Sequence, residues 1–492
     1  MGKLLNADYR QSFLLAPSVE NWVPANHPVR VIRDLVDDAI RRGRLGTDQP
    51  ESDQGRPQYA ASLLLKIWVY AYVLRFRSTR KAEWACKNVM PMIWLAGGLR
   101  PDHNTLSRFW HENRQLVADF FRMTVGLAQK VDLIGMELQA VDGTKMQASG
   151  STRRAMDRKQ AEELLKHTEQ TIAELEKQIA NNETVAEFGH EAKLGEALED
   201  RKQLKSEIEK ALSTWSEAKQ KRTLSEMEAR MLVGTGMGYN AQVVVDAKAG
   251  ILVAQDVVSD ANDQKQLVPM LDKVKEELGA VAELTVADGG YNTAQSLGDA
   301  AQKDYPVLVN RSADERKGEK KPYHASHFTY DRDNDVVICP EGKRLEYTHS
   351  VKRRKTLRIR VYRSSECGQC PVRALCTKNR RGRAIEISEH HDAVIANRQR
   401  RQDPQNLNKL KSRITFGERP FAVIKDFLGF RRFRLKGKGG ASLEWSFVNG
   451  VYNILRIAAS VIRSKSDVFS RIACLLAGSR KRHVVILQPV HM

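Results

Sequence analysis

The sequence predicts an α/β protein whose core is a mixed five-stranded sheet, preceded by an all-helical N-terminal region. Three observations lead to this prediction. Residues 1–130 contain helical apolar patterns. Residues 131–311 contain β-branched runs in alternation with helical patterns. Segments of a different composition, residues 155–232 and 312–405, interrupt the α/β pattern. The core is therefore expected in three pieces, with a helical-hairpin insertion and a small cysteine-containing insertion between them.

Length and charge limit the classes of protein to consider. A chain of 492 residues is expected to form two to four domains, and its 80 Lys and Arg against 60 Asp and Glu give a net charge of +20. Such an excess favours a polyanionic partner over a basic protein with no nucleic-acid role. The absence of an apolar run of about 18 residues argues against a membrane span. Without a secretory pattern at the N-terminus, we expect a reducing, cytoplasmic location.

The N-terminal region, residues 1–130, is expected to form short helices joined by tight turns. Helical patterns cover residues 62–72, 79–89 and 105–129. Asn104 or Thr105 is the expected cap of the last helix. The arrangement is compatible with a helix-turn-helix-like DNA reader and equally with a plain helical bundle, and the overall charge leads us to expect a DNA-binding domain.

The first piece of the core, residues 131–154, contains a strand expected to end in an exposed carboxylate, Asp142. Heptad spacing follows within the insertion at residues 155–232, where Leu165, Ile172 and Ile179 recur every seven residues. A second apolar stripe runs from residue 194 to residue 215. We predict two antiparallel coiled-coil arms of about 25 residues, each roughly 38 Å long. Such a hairpin could either dimerise the protein or bind DNA.

The second piece of the core, residues 233–311, supplies the remaining strands. Residues 239–246 and 251–258 predict a β-hairpin with Gly250 in its turn. A helix over residues 263–278, a strand ending at Asp288 and a strand at residues 306–310 follow. Without the insertion, this is the ribonuclease H-like order, in which three antiparallel strands precede a crossover to parallel strands. That order places Asp142 beside Asp288, where two carboxylates suit Mg²⁺ and phosphoryl transfer.

The insertion at residues 312–405 is basic and holds four of the six cysteines, namely Cys339, Cys367, Cys370 and Cys376. Four thiolates suffice for a tetrahedral structural Zn²⁺ site. The irregular spacing leaves an equal alternative, which is four reduced cysteines in a small basic subdomain.

The third piece of the core, residues 406–465, is expected to supply a third acid from a helix that resumes at about Arg419. Glu418 is preferred, because Pro420 suits the first helical turn and Phe421 and Lys425 share a helical face with Glu418. Glu444 is the competing third acid. Residues 447–462 predict a buried helix, and residues 466–492 form a tail.

These segments together resemble the DDE transposases of bacterial insertion sequences. The resemblance covers residues 12–460, and its motifs combine into a specific pattern although none is specific alone. The matching motifs are the following: residues 64–66, 78–81 and 100–105 in the helical region, and residues 142–145, 239–246, 287–291 and 418–421 with Lys425 in the core. The chain departs from the pattern at Gly417, where an aliphatic residue is usual, and before residue 239, where relatives often carry Asp-Pro.

The resemblance implies a DNA transposase that cleaves the ends of an insertion sequence and joins them to target DNA. Asp142 and Asp288 would bridge two Mg²⁺ or Mn²⁺ ions, and Glu418 would bind one of them. Phosphate contacts would come from Arg413 and Lys425. Further basic residues expected on DNA are Lys145, Arg431 and Arg432.

The expected partners are the element-end repeats and target DNA. Synapsis of two ends implies a homodimer. The expected location is the bacterial nucleoid. The alternative is a catalytically inactive or regulatory DNA-binding protein derived from such an enzyme. A nuclease without strand transfer is a further option.

Overall fold

The computed structural model describes residues 18–463, except residues 26, 42, 44, 47–57, 183–189, 216–219, 319 and 354–356. The chain divides into two compact units. The first unit comprises residues 1–131, 422–430 and 446–492, and the second comprises residues 132–421 and 431–445. None of the helices within the described ranges has the length and apolarity to cross a membrane.

The first unit is helical throughout its described residues. Its helices before residue 131 are α1 (Pro28–Arg41), α2 (Ala61–Val73), α3 (Thr79–Asn88), α4 (Met90–Leu95), α5 (His103–Glu112) and α6 (Arg114–Lys130). The C-terminal helix α16 (Gly437–Arg463) adds Phe447, whose ring lies 5.0 Å from those of both Tyr72 and Trp110. This aromatic cluster is the centre of the unit.

One helix predicted in this unit is two helices in the structure. The pattern over residues 105–129 predicted a single helix, but α5 ends at Glu112 and α6 begins at Arg114. The predicted cap at Asn104 or Thr105 is also wrong, because Asp102 is the N-cap and its carboxylate accepts a hydrogen bond from the Thr105 N–H at 2.7 Å.

The second unit contains a mixed six-stranded sheet. Its strands are β1 (Leu138–Gln147), β2 (Arg230–Leu232), β3 (Gly236–Asp246), β4 (Leu252–Val258), β5 (Leu284–Ala287) and β6 (Val307–Val309). The order is β2-β3-β1-β5-β6, with β4 also paired to β3. β3 is antiparallel to β1 and β4, whereas β1, β5 and β6 are parallel. The five expected strands are all present, and the additional β2 has only three residues, too few for a recognisable pattern.

Helices cover this sheet, and one of them lies over the strands that precede Asp142 and Asp288. α9 (Leu267–Leu278) follows β4, and α10 (Ala294–Gln302) joins β5 to β6. Leu410 packs with Ala140, Val286 and Leu308 in a buried cluster on the sheet. Leu410 belongs to α14 (Pro404–Gly417), so this helix covers the strands that precede Asp142 and Asp288.

The predicted helical hairpin is confirmed. α7 (Arg158–Asn182) and α8 (His190–Ser213) pair along their length, and Lys202 contacts Glu176 at 3.3 Å while Lys205 contacts Glu169 at 2.9 Å. Because the later lysine meets the earlier glutamate, the two helices run antiparallel. The junction predicted at residues 188–190 lies partly outside the described residues, which resume at residue 190.

A second, five-stranded antiparallel sheet occupies the basic insertion, where the sequence predicted no sheet. Its strands are β7 (Thr329–Asp331), β8 (Val336–Ile338), β9 (Arg344–Arg353), β10 (Leu357–Arg363) and β11 (Ala384–Ser388). The order is β11-β10-β9-β8-β7, and two short helices, α11 (Ala313–Gly318) and α12 (Arg373–Cys376), lie outside the sheet. Its core is a small group of buried side chains, namely Val337, Leu345, Tyr362, Ile385 and Ile387.

A helix begins at Arg419, as expected, but the chain is already helical well before that position. α13 (His391–Arg400) and α14 precede that position, and α15 (Arg419–Ala422) and a π-helical turn (Val423–Phe427) follow it. Asp403 caps α14 by accepting from the Gln405 N–H, and Pro404 occupies the first turn. Glu418 therefore lies at the junction between the long α14, which ends at Gly417, and the short α15, which begins at Arg419.

Candidate active site

Asp142 and Asp288 occupy equivalent positions on neighbouring parallel strands. Val141 pairs with Ala287 in the register of β1 and β5, so the next residue of each chain segment is an aspartate. The prediction that these two strands lie side by side is confirmed. Asp288 directly follows β5, and one of its carboxylate oxygens accepts a hydrogen bond from the Gly290 N–H at 2.7 Å.

Asp142 is not the exposed strand end that the sequence predicted. It lies in the middle of β1 and is only 8% exposed. β1 continues to Gln147 because its antiparallel partner β3 remains paired with it beyond the end of β5. The carboxylate is thus buried at the point where the parallel neighbour ends.

The pKa of Asp142 reports its surroundings. Burial raises it from 3.8 to about 6, while Arg413 and the Gly143 N–H oppose that rise. The negative charges of Asp288 and Glu418 raise the pKa further. All three predicted acids therefore lie close enough to interact electrostatically.

Arg413 links two of these acids. Its guanidinium donates to Asp142 Oδ2 at 2.7 Å and to Glu418 Oε1 at 3.5 Å. The Arg413 side chain is 10% exposed, whereas that of Glu418 is 55% exposed. The structure thus places Arg413 on carboxylates, where the resemblance implied a phosphate contact.

Gly417 brings the end of α14 close to β1. A Cβ atom at this position would lie 3.3 Å from the Cβ of Ala140 and 3.7 Å from Asp142 Oδ2. The absence of a side chain lets Glu418 follow directly beside the buried aspartate. The departure from the usual aliphatic residue therefore has a local packing reason.

Glu444, the competing third acid, has a different surrounding. It is 1% exposed and accepts hydrogen bonds from the N–H groups of Arg434 at 2.6 Å and Leu435 at 3.3 Å. These contacts fix the backbone just before α16. Glu418 and Asp288, by contrast, both raise the pKa of Asp142.

The predicted DNA-binding residues are placed differently from one another. Lys145 and Arg431 are exposed in the second unit. Arg432 donates to the backbone carbonyls of Ala148, Ser149 and Gly150, so its guanidinium holds the segment after β1. Lys425 lies in the π-helical turn of the first unit.

The four grouped cysteines come together although they are distant in sequence. Cys339, Cys367, Cys370 and Cys376 line one pocket, and all four are free thiols. Burial raises the pKa of Cys376, Arg383 lowers it, and the other three cysteines raise it further. The remaining thiols behave differently: Cys86 is buried in the first unit, and Cys474 lies outside the described residues.

The turn at Cys339 directs a backbone donor at its sulfur. The Gly342 N–H donates to the Cys339 carbonyl at 2.9 Å, and the Lys343 N–H donates to Cys339 Sγ at 3.3 Å. Gly342 has a φ of +74°, which favours glycine. The turn therefore places a hydrogen-bond donor beside the sulfur.

Neither the three acids nor the four cysteines have the geometry of a metal-binding site in the structure. Within the described residues, no three His, Cys, Asp or Glu side chains are arranged to hold a metal ion. At the acidic site, the guanidinium of Arg413 lies between Asp142 and Glu418.

Comparison with known families identifies the class of protein. Residues 17–112 match a family described as a transposase domain, and residues 338–458 match a family described as the transposase DDE domain. The second match contains Arg413, Glu418 and all four grouped cysteines. No curated protein matches the chain in sequence.

One solved structure is similar over most of the chain. It is a cryo-EM structure of the piggyBac transposase synaptic complex with hairpin DNA, at 9% identity and a TM-score of 0.30. The match covers 93% of this chain and 78% of that chain. A similarity this low has no part in the reasoning that follows.

Both matched segments belong to transposase families, and the segment that contains Glu418 matches the DDE domain. The resemblance to DDE transposases noted in the sequence is thus confirmed.

Proposed function

We propose that the chain cleaves insertion-sequence ends and joins them to target DNA, with Asp142, Asp288 and Glu418 as its catalytic acids. The observation that carries this proposal is the placement of the two aspartates at matching positions of adjacent parallel strands, with Glu418 close enough to raise the pKa of Asp142. Carboxylates held together in this way suit phosphoryl transfer.

The strand order supports a ribonuclease H-like core. Three antiparallel strands, β4, β3 and β1, adjoin two strands, β5 and β6, that run parallel to β1. The domain assignment that we propose keeps the predicted pieces: core at residues 131–154, 233–311 and 406–465, with insertions at residues 155–232 and 312–405. Residues 1–130 are the proposed DNA-binding domain.

The donor set of the acidic site fits Mg²⁺ or Mn²⁺. Asp142, Asp288 and Glu418 offer carboxylate oxygens, which these hard cations prefer. The guanidinium of Arg413 already pairs a positive charge with two of these acids. When two such ions are bound, they supply an activated water and stabilise charge on the phosphate. Glu418 is exposed, so its side chain is free to leave Arg413 and turn toward a cation.

The chain's own residues keep the site ready for a cation. Arg413 neutralises part of the charge of Asp142 and so keeps a buried carboxylate ionised against the effect of burial. The Gly290 N–H holds Asp288 in one orientation. Once Glu418 and Asp142 engage cations, the Arg413 guanidinium can donate to a phosphate oxygen, the role that the resemblance implies.

DNA binding by the chain is proposed on its charge. A net charge of +20 favours contacts with the phosphate backbone, and Lys145 and Arg431 are exposed on the unit that holds the acids. The proposed partners are the element-end repeats and target DNA. Synapsis of two ends requires a homodimer, which would act at the nucleoid.

The cysteine pocket fits a structural Zn²⁺ ion. Four cysteines from two segments line it, which is the number of sulfur ligands in a tetrahedral Zn²⁺ site, and the Lys343 N–H donates to one of the sulfurs. The neighbouring Lys343 and Arg383 offset the negative charge that four thiolates would bring. We propose that Zn²⁺ draws the four sulfurs together and holds β8 to the segment between β10 and β11.

Cleavage of labelled DNA tests the catalytic proposal. The probe is a duplex that carries a boundary of the genomic element encoding this chain, incubated with Mg²⁺ and an unlabelled target. We expect wild type to cut the boundary and to give strand-transfer products. Asp288→Asn should lose both activities by at least about a hundredfold, because it removes a charged oxygen ligand.

Asp304→Asn is the matched control. Asp304 is an exposed aspartate with a φ of +54°, a conformation that asparagine tolerates. Its activity should equal that of wild type. Undiminished cleavage by Asp288→Asn would contradict the assignment of the acids. Boundary binding without any cleavage by wild type would favour the regulatory alternative, and cleavage without joining would favour a nuclease.

Metal analysis tests the zinc proposal. We expect about one zinc per purified chain and its loss in Cys370→Ser, while Cys86→Ala should retain it. Cobalt substitution offers a second measurement, because four thiolates give intense sulfur-to-cobalt absorption bands. A purified wild-type chain without zinc that also fails to bind Co²⁺ would leave four reduced cysteines as the correct description.

A further inference from the structure

Asp263 lies between the two segments that bear Asp142 and Asp288, although no sequence motif drew attention to it. It follows β4 by a short loop and is partly buried. Its Oδ1 atom accepts hydrogen bonds from Asn240 Nδ2 at 2.8 Å and Gln242 Nε2 at 2.7 Å. A carboxylate that holds two buried side-chain amides is strongly fixed in position.

Gln242 connects Asp263 to the turn that follows Asp288. Its Oε1 atom accepts a hydrogen bond from the Tyr291 hydroxyl at 2.5 Å, and its Nε2 atom also donates to Asn240 Oδ1 at 2.9 Å. Gln242 and Tyr291 are fully buried. Asp263, Gln242 and Tyr291 therefore form one hydrogen-bonded chain, which we call the buried chain.

Two glycines show how closely Asp263 approaches both catalytic segments. A Cβ atom on Gly143, the neighbour of Asp142, would lie 2.7 Å from Asp263 Oδ1. A Cβ atom on Gly290 would lie 3.5 Å from Asp263 Oδ2 and 2.9 Å from Asp288 Oδ1. Asp263, Asp142 and Asp288 all raise the pKa of Tyr291, after burial as the main cause.

Asp263 faces the opposite side of the sheet from Asp142. Gln242 pairs with Gly143 and Val243 pairs with Asp142, and directly paired residues share a face. Ala140 and Asp142 share the face covered by α14, so Gln242 and Asp263 lie behind that face. This position suits support of the acids rather than contact with a cation.

Resting on the proposed function, we infer that Asp263 is a positioning residue, which fixes the spacing of Asp142 and Asp288 through the buried chain. β1 and the Asp288 turn are joined by backbone pairing only up to Ala287. Beyond that point, the link runs through Gln242 of β3, which pairs with Gly143 of β1 and is hydrogen-bonded to Tyr291 and Asp263. Loss of the Asp263 carboxylate would leave both amides without their shared acceptor.

Mn²⁺ binding to the full chain, measured by electron paramagnetic resonance without DNA, tests this inference separately from activity. Asp263→Ala should raise the half-saturating Mn²⁺ concentration by about 10- to 100-fold, the usual cost of losing a partner that orients metal ligands. Asp263→Asn should restore most of the affinity, because its amide oxygen still accepts from Asn240 and Gln242. Asp260→Ala, in the same loop, is the control and should bind as wild type does.

The outcomes separate the two proposals. If Asp288→Asn leaves Mn²⁺ binding unchanged, the proposed function fails. If Asp288→Asn abolishes binding and Asp263→Ala matches wild type, only the positioning role is overturned. Equal losses in Asp263→Ala and Asp263→Asn would also overturn it, because charge and not hydrogen bonding would then matter.

A second variant covers the case in which Asp263→Ala does not fold. Tyr291→Phe removes one hydroxyl and keeps the buried ring, so it breaks the buried chain at its other end. We expect the half-saturating Mn²⁺ concentration to rise by several-fold to about tenfold. Mn²⁺ affinity identical to that of wild type in a folded Tyr291→Phe protein would overturn the inference.

Discussion

The two sheets of the second unit hold their reactive side chains in different ways. In the six-stranded sheet, Val243, Val244 and Val245 of β3 are fully buried, and Asp142 is buried with a guanidinium beside it. In the five-stranded sheet, most residues of β9 are exposed, and the core is built around a cluster of five buried side chains. A sheet with a large apolar core can hold a charge in place, whereas a sheet with a small core depends on cross-links.

Removal of cysteines from the pocket should have the largest effect, and it should destabilise the five-stranded sheet alone. In Cys367→Ser with Cys376→Ser, we expect amide hydrogen exchange in β8 and β10 to accelerate by at least about a hundredfold, because structural zinc sites contribute folding free energy directly. Exchange in β1 and β3 should not change. The measurement is exchange followed by mass spectrometry.

Cys86→Ala is the control for this experiment, because it removes a buried thiol from the first unit. It should leave exchange in both sheets unchanged. Equal exchange in β10 of the double variant and of wild type would show that the small core suffices.

A methyl group at Gly143 should destabilise the six-stranded sheet, which has no such room in its core. In Gly143→Ala, the new Cβ would lie 2.2 Å from Gln242 Nε2, which is buried and hydrogen-bonded to two partners. We expect a loss of about 2 kcal/mol in the free energy of unfolding, typical of overpacking combined with broken buried hydrogen bonds. Urea unfolding measures this quantity.

Gly368→Ala is the matched substitution near the second sheet. A Cβ there meets no atom within 4 Å. Its free energy of unfolding should lie within about 0.5 kcal/mol of the wild-type value. If both alanine variants were equally stable, Gln242 would be free to move and the buried chain would be weaker than its geometry indicates.

The same contrast explains what the sequence reveals about the fold. Continuous β-branched runs predicted β3 and β4. The seven-residue spacing predicted α7 and the second apolar stripe predicted α8, since all of these patterns are set by burial. β10 also alternates, with Leu357, Ile359 and Val361 between arginines. The charge of this segment indicates a basic insertion, and its short neighbours β7 and β8 have only three residues each, so the sequence does not predict the second sheet.

The candidate site was predictable where motifs specify residues and unpredictable where packing specifies contacts. Asp142, Asp288 and Glu418 follow from motif resemblance, and their shared role stays a prediction. The contact between Arg413 and Asp142 joins residues 271 positions apart. It depends on the close approach of α14 at Gly417, which no local pattern encodes. No local pattern indicates Asp263, because it lies in a loop and its partners, Asn240 and Gln242, belong to β3.

Acidity should distinguish the two sheets further. The pKa of Asp142 rises from 3.8 to about 6 on folding, so the folded state binds this proton more tightly. The stabilising contribution is therefore fully present below about pH 4 and is lost as the pH rises through about 6. In protein treated with EDTA, we expect urea unfolding to show a fall of about 1 to 2 kcal/mol across this window.

Asp142→Asn is the reference for this pH dependence, because it has no proton to lose. Its free energy of unfolding should lack the fall between pH 4 and 6. A wild-type profile that matches the variant would mean that Arg413 fully cancels the effect of burial.

The smallest effect, with the opposite sign, is expected from Asp335 in the second sheet. Its carboxylate accepts hydrogen bonds from Tyr362 at 2.6 Å and Tyr330 at 2.9 Å and also contacts Arg360. The Tyr362 hydrogen bond is the main cause that lowers the Asp335 pKa. Stability from this group is thus present above about pH 4 and lost as the pH falls through the lowered pKa. Because the Asp335 side chain is 40% exposed, solvent screening limits the contribution to under about 1 kcal/mol.

Asp335→Asn suits the backbone, since asparagine tolerates the φ of +52° found here. We expect exchange in β10 to accelerate on acidification from pH 5 to pH 3 in wild type, beyond the intrinsic change, and to do so less in the variant. Over the same range, protonation of Asp142 should protect β1. Acid would then loosen the sheet whose carboxylate is hydrogen-bonded at the surface and stabilise the sheet whose carboxylate is buried. A parallel response of β1 and β10 would show that a single cooperative transition governs both sheets and hides their separate carboxylates.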